Sequence, residues 1–280
     1  MNIYLAGCYS RQFVFDETMD IYLAGAATGN NVAIWRDNSK DNPTAAMEKL
    51  CGSTDKIYVL ESFYYMKDWM TPYIKNHWNF MLDSGAFTFM EGNQGSEVKW
   101  DDYVSRYCDF INKHDIDLFF ELDIDSVSTL SHVEAMRKKI EARTGKQSIP
   151  VWHRSRGKAY FIQMCKDYDY VAIGGLVSGE WKGTDPDVFK WFINTAHEHG
   201  SKIHALGYTN LKGLEKYKFD SVDSTAWTSG NRFGCLYYFK NGELKKIMSG
   251  PKQRMAKPRE LAVQNFKAWL NFQRYAKQYM

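Results

Sequence analysis

The sequence has no CxxC or CxC pair. Its five cysteines, Cys8, Cys51, Cys108, Cys165 and Cys235, are scattered along 280 residues. That spacing excludes the usual cysteine zinc sites and argues against a disulfide framework. No run of about 18 uncharged apolar residues occurs, so no membrane span is expected. The opening residues, MNIYLAGCYS, carry no basic n-region and no clear cleavage site; secretion is not expected, and a reducing cytoplasm is. A large excess of one charge sign is also lacking. The net charge is +3 and the pI about 8.4, too mild to identify a nucleic-acid partner alone. No low-complexity stretch or Ser/Gly/Pro linker divides the chain.

What is present is a large apolar and aromatic complement, 44% and 16% of residues, sufficient for a sizeable core. Short apolar runs recur at 21–25 (IYLAG), 56–61 (KIYVLE), 79–84 (NFMLDS), 117–123 (DLFFELD), 149–153 (IPVWH), 170–175 (YVAIGG), 202–207 (KIHALG) and 219–224 (FDSVDS). Helical patterns lie between them. Residues 100–114 place Tyr103, Tyr107, Phe110 and Ile111 on one face. Residues 131–145 start on Ser131 as N-cap and end on Gly145. Residues 185–200 carry Pro186 at the first helical position and Gly200 past the end, and 210–217 is a shorter helix. Strand candidates alternating with helices predict an α/β fold, a (β/α)8 TIM barrel over residues 1–234. The rival, an open doubly wound sheet, calls for a Gly-rich phosphate turn after the first strand. AGAATGNN (24–31) bears glycine but lacks GxGxxG. Over 235–280, Asn241-Gly242 between apolar runs predicts a type I′ hairpin. A terminal amphipathic helix follows, docking on the barrel through Leu261, Phe266, Trp269, Leu270 and Phe272.

In a barrel, chemistry collects at the C-terminal strand ends. There the sequence sets Asp83, Asp123 with Asp125 beyond it, His153-Arg154, Gly174-Gly175 and Asp223. One aspartate at a strand end is ordinary turn chemistry; several at the same end of different strands are not. Such a cluster can hold a divalent metal, run acid/base chemistry, or attack an anomeric carbon while a second acid moves protons. Gly85 and Gly174-Gly175 let a flat ring lie against backbone, and Phe87 offers a ring face. A planar heterocycle joined to a sugar suits that wall.

LDSGAF (82–87), VAIGGLVSGE (171–180), ALGYTN (205–210) and FDSVDSTAW (219–227) resemble the tRNA-guanine transglycosylase superfamily. The closer likeness is to its DpdA-like branch, bacterial and phage enzymes that insert 7-deazaguanine bases into DNA. The resemblance implies exchange of guanine for a 7-deazaguanine through a covalent aspartyl-sugar intermediate. It implies Asp83 as general base, with Ser84 beside it, and Phe87 stacking on the bound base. Asp123 would bind the guanine edge, and His153 would take the place of a polar base-contacting side chain. Gly174, Gly175 and Leu176 would supply backbone contacts, with Glu180 behind that loop and Leu206 covering the other ring face. Two registers fit the nucleophile, Asp220 or Asp223. The pattern of an acid, two residues and a second acid followed by Ser favours Asp223, as does its nearness to the strand's C-terminal end. The tRNA enzymes carry a cysteine-histidine zinc subdomain after the last catalytic strand, whereas Cys235 stands alone here. No metal or other cofactor is therefore expected. DNA is the expected polymer and tRNA the alternative, with a helper protein or a second copy as further partners. A non-catalytic nucleic-acid-binding paralogue and a glycoside hydrolase are the remaining rivals.

Arg154 and Arg156, beside His153, are candidates for phosphate contacts or for solvated surface. The basic tail from Lys240 onward has the same two readings. His114, His197 and His199 lie near helix ends, where a cation meets the dipole. Trp227 suits either the core or a stacking role.

Overall fold

A computed structural model describes residues 19–24, 56–66, 78–91, 98–208, 210–228, 234–248 and 258–280, with isolated positions at 70, 74, 76 and 250. Residues 25–31 of the glycine-bearing turn, Cys8, Cys51, and Lys252, Arg254 and Lys257 of the basic tail lie outside the described residues. Seven parallel strands form one sheet: β1 (Asp20–Ala24), β2 (Ile57–Ser62), β3 (Trp78–Asp83), β4 (Val151–Trp152), β5 (Tyr170–Ile173), β6 (Lys202–Ala205) and β7 (Ser221–Ser224). Their spatial order is β3-β2-β1-β7-β6-β5-β4.

Strand alternation sorts the side chains into two cores. On the inner face of the curl, Tyr22, Ala24, Leu60, Met81, Phe120, Val151 and Ala172 pack together. The intervening residues, among them Leu23, Val59, Ile173, Ile203 and Val222, face outward. Against that outer face lie α4 (Gly157–Asp167), α5 (Val188–Glu198) and α7 (Pro258–Tyr279), through Phe161, Phe192, Phe266 and Trp269. A third cluster joins α2 (Trp100–His114) and α3 (Leu130–Thr144) to Leu82 and Phe119. Short helices α1 (Ala86–Glu91) and α6 (Leu211–Lys216) complete the described set. Helix α2 has the predicted bounds. The expected Ser131 cap of α3 is instead Thr129, whose hydroxyl accepts from the His132 N–H at 3.3 Å.

The regular strands make a curled seven-stranded half-barrel, TIM-like, where the sequence predicts a closed eightfold barrel. The missing strand is 117–123. Phe119 and Phe120 make single parallel bridges to Leu82 and Ile149, one toward each edge of the sheet. The ladder begins normally, with Ile149 N–H donating to Phe119 O at 2.8 Å and Glu121 N–H to Ile149 O at 3.0 Å. The next donor in a parallel ladder is Val151 N–H, and it goes to the Glu121 side chain, Oε1, at 2.7 Å. A carboxylate has taken the place of the backbone carbonyl, so regular pairing stops there.

Beyond β7, β8 (Cys235–Lys240) and β9 (Glu243–Met248) form an antiparallel hairpin. Its turn residues Asn241 and Gly242 have φ of 53° and 80°, the sign a type I′ turn requires. Helix α7 buries all five residues of its predicted apolar face. It also uses two buried amides as straps. Asn265 pairs with the Tyr237 N–H and the Cys235 carbonyl, and Gln273 donates to the carbonyls of Ile21 and Tyr58. Among the described residues no helix is long and apolar enough to cross a membrane.

Candidate active site at the C-terminal strand ends

The parity that faces Leu60, Met81, Val151 and Ala172 inward continues to Asp83, His153 and Gly174. On β7 it places Ser221 and Asp223 inward. The strand ends therefore form a rim over the inner core. Asp83 caps β3, and the Gly85 N–H donates to its Oδ2 at 3.0 Å. Gly85 sits at φ +77°, where an added Cβ would stand 2.7 Å from Ser62 Oγ and 2.9 Å from Tyr103 Oη; only glycine fits this turn. Ser84 is buried, and its carbonyl accepts from Tyr103 Oη–H at 2.6 Å. Phe87, one residue into α1, is 42% exposed.

Burial pushes the Asp83 carboxyl up to about 7. The charges of Asp123 and Asp223 push the same way, against hydrogen bonds from the Gly85 and Ser84 backbone. Asp83 and Asp223, from strands far apart in sequence, thus lie within charge-coupling range.

Asp223 is buried. Its Oδ1 accepts from Gly207 N–H at 2.6 Å and lies 3.2 Å from His204 Nε2. Among the described residues nothing bonds to its Oδ2. Asp220 lies elsewhere, at the other end of β7. Its Oδ2 accepts from Ile203 N–H at 2.8 Å and lies 2.9 Å from His197 Nε2.

His153 bridges two acids, with Nε2 2.8 Å from Asp123 Oδ1 and Nδ1 2.8 Å from Glu180 Oε1. Burial opposes its cation, but Asp123, then Glu180 and Asp125, carry its pKa up to about 9. At neutral pH it is an imidazolium with both N–H groups in use. It holds Asp123 in place rather than presenting a free nitrogen. Gly174 and Gly175 make room for this: an added Cβ on Gly174 would come 2.8 Å from His153 Nε2, and on Gly175, at φ +75°, 2.6 Å from Glu180 Oε1. Leu176 and Leu206 are half-buried, Leu206 against the inner core.

Arg154 is exposed and donates to the Glu180 carbonyl and Thr184 Oγ1. Arg156 is different. Its side chain is 1% exposed, and the guanidinium forks onto both oxygens of Asp125, at 2.8 and 2.5 Å, and onto Glu121 Oε1 at 3.0 Å. It is not presented to a phosphate. Glu121, fully buried, also takes Arg137 Nη1 at 3.1 Å. This carboxylate–guanidinium network fixes residues 121–125 against 153–156, and through them the Asp123–His153 pair.

Asp123, Asp125 and His153 bring ligand atoms within 4.8 Å of one another. They do not fit a metal in this arrangement. Asp125 is engaged at both oxygens by Arg156, and both ring nitrogens of His153 are engaged by Glu180 and Asp123. Trp227 belongs to the core, donating from Nε1 to the Ala24 carbonyl at 2.8 Å. Two cavities, about 490 and 610 Å³, lie at the N-terminal strand ends, sharing Asp20, Tyr22, Asp117 and Leu118. Neither borders the rim acids. Volume would place a ligand there; the carboxyl of Asp83, raised to about 7, is at the other end.

Sequence reasoning missed Glu121, Arg137, Gly207 and His204. A signal existed for two of them. Glu121 interrupts an apolar run, and His204 shares strand parity with Leu206.

Fold and rim define the chain as an α/β protein with Asp83, Asp123 and Asp223 at the C-terminal ends of parallel strands. No family model matches the sequence, and a search of curated proteins finds no match.

Proposed function

We propose that the chain is a base-exchange transglycosylase that replaces guanine in DNA with a 7-deazaguanine base. The observation that carries this reading is the coupling of two strand-end acids with unlike environments. Asp83 has its carboxyl at about 7, the range suited to moving protons at neutral pH. Asp223 takes its donors on Oδ1, leaving Oδ2 as a nucleophile.

In the first displacement, Asp223 Oδ2 attacks C1′ of an extruded guanine nucleotide. The C1′–N9 bond breaks, and the leaving base takes the proton of Asp83. The sugar is then an ester of Asp223, and Asp83 is ionised. In the second, Asp83 removes the N9 proton of an entering 7-deazaguanine. That nitrogen attacks C1′ and the ester bond breaks, restoring both acids. Two inversions retain configuration. Asp123, held by His153, offers Oδ2 to the N–H edge of the base. Phe87 stacks on one ring face, Leu206 covers the other, and Gly174 and Gly175 border the edge. No cofactor takes part. Segment 118–121 serves as the eighth strand of a closed barrel, and the setting is a bacterial or phage-infected cytoplasm.

The test incubates the purified chain with single-stranded DNA, duplex DNA or tRNA and labelled guanine, followed by nucleoside analysis. Label entering DNA supports the reading. Label entering tRNA alone moves the activity to the tRNA branch. Label in neither, with a 7-deazaguanine also failing to enter, overturns it.

A further inference from the structure

Behind Asp223 the inner core contains an unbroken file of polar groups. His204, on β6, is fully buried between the rings of Phe120 and Tyr22, at 5.3 and 6.0 Å. Its Nε2 lies 3.2 Å from Asp223 Oδ1, and its Nδ1 2.5 Å from Ser221 Oγ. Ser221 Oγ lies 2.5 Å from Tyr170 Oη. These residues come from three adjacent strands, where His204 pairs with Ser221 and Ala172 with His204.

A buried histidine costs stability unless both ring nitrogens find partners. Here the carboxylate at one end sets the direction of the bond it receives. Asp223 also receives the Gly207 N–H, so it is the acceptor of the file. Burial raises the Tyr170 phenol well above its ordinary value, so Tyr170 keeps its proton, and its hydroxyl and that of Ser221 can each donate or accept. His204 Nε2–H therefore donates to Asp223 Oδ1, and one run of the hydroxyls completes the file, Tyr170 O–H to Ser221 Oγ and Ser221 O–H to His204 Nδ1. Every link of that run is satisfied once, with the imidazole as its Nε2–H tautomer.

We propose that His204 is a positioning residue for Asp223: with the Gly207 N–H it pins Oδ1, so that Oδ2 alone faces the reacting sugar. Ser221 and Tyr170 fix the imidazole tautomer. The inference rests on Asp223 being the nucleophile of the proposed exchange. The same pattern, a donor oriented by an outer shell, holds reactive groups elsewhere in enzymes.

The test uses the full chain with ¹⁵N-labelled histidine. The expected result is a His204 signal of the Nε2–H tautomer, whose Nε2–H proton moves upfield in Asp223→Asn. An Nδ1–H tautomer, or a resonance indifferent to Asp223→Asn, overturns the proposal whether or not the chain exchanges bases. Activity is read as single-turnover formation of the DNA adduct. His204→Leu should slow it roughly 10- to 100-fold, as expected for losing a hydrogen bond to a charged group, with the KM for DNA unchanged. His204→Gln keeps an N–H near the Nε2 position and should recover most of the rate. Equal rates for the Leu and Gln variants overturn the proposal. If His204→Leu does not fold, Ser221→Ala leaves the imidazole in place and should mix its tautomers and slow adduct formation; an unmixed tautomer overturns the proposal. A wild-type chain that forms no adduct refutes base exchange itself, and the resonance alone then decides the hydrogen-bond assignment.

Discussion

Asp220 and Asp223 stand three residues apart, at opposite ends of β7. Both are largely buried, and each has a backbone N–H and a histidine on one oxygen. Asp220 braces the N-terminal end, tying β6 to β7 through Ile203 N–H and reaching His197 at the end of α5. Asp223 lies at the C-terminal end, within charge range of Asp83, with its donors on Oδ1. The local bonding is alike; the difference is what lies across the sheet. Asp220 meets a helix terminus and shares a cavity with Asp20, Asp117 and Asp169 and with the cations Lys146 and Lys202, whereas the charge of Asp223 acts on the raised carboxyl of Asp83.

The sharpest way to break this comparison is to neutralise each acid in turn. Asp223→Asn should lower base exchange at least roughly 1000-fold, as loss of a nucleophile does, and abolish the covalent adduct on denaturing gels. Asp220→Asn should leave exchange within about threefold and lower stability by about 1–2 kcal/mol in urea titration, the worth of a charge-assisted bond. The reverse pattern would assign the chemistry to Asp220.

Asp83→Asn should lower exchange roughly 100- to 1000-fold, the range for a lost general acid/base. It also carries a pH signature. The folded-state pKa of Asp83 is raised to about 7 from 3.8, so the folded chain binds the extra proton between those values. Stability falls as pH rises through that window. Calorimetry should find Asp83→Asn more stable than wild type at pH 8 and close to it at pH 3.5.

The buried network of Glu121, Arg137, Arg156 and Asp125 sharpens the comparison on the rim side. Removing one partner leaves an uncompensated charge, and Arg156→Met should destabilise by about 3–5 kcal/mol in denaturant unfolding. An Arg156 that acted on phosphate would instead change the salt dependence of DNA binding with little loss of stability.

The smallest expected effect concerns His153. Its folded pKa of about 9 lies above the ordinary 6.5, so its contribution is complete below pH 6.5 and fades as pH rises toward 9. A wild-type midpoint that drops across that interval, and a His153→Gln midpoint that does not, would support this; parallel curves would refute it.

Much of this arrangement is legible in the residues. Alternation in NFMLDS and YVAIGG fixes which face Met81 and Ala172 take, and hence that Asp83 and Gly174 follow on the same face. Asn241-Gly242 specifies its turn because both positions need positive φ. Helix α4 has no such signal. It opens on Gly157, and no capping side chain marks its start. The irregular 117–123 segment is also hidden, because DLFFELD has a strand's composition. The approach of Val151 N–H to the Glu121 carboxylate interrupts the ladder toward β4.

The sequence by itself determined the parity of the inner core, most of the strands and the acids at their ends, because these depend on periodicity and on neighbours along the chain. Tertiary structure decided which acids meet, which arginine is buried, and that His204 stands behind Asp223. Those facts depend on strand order and on pairing such as His204 with Ser221. Contacts between residues distant along the chain form only when the sheet curls, and no local pattern encodes its register.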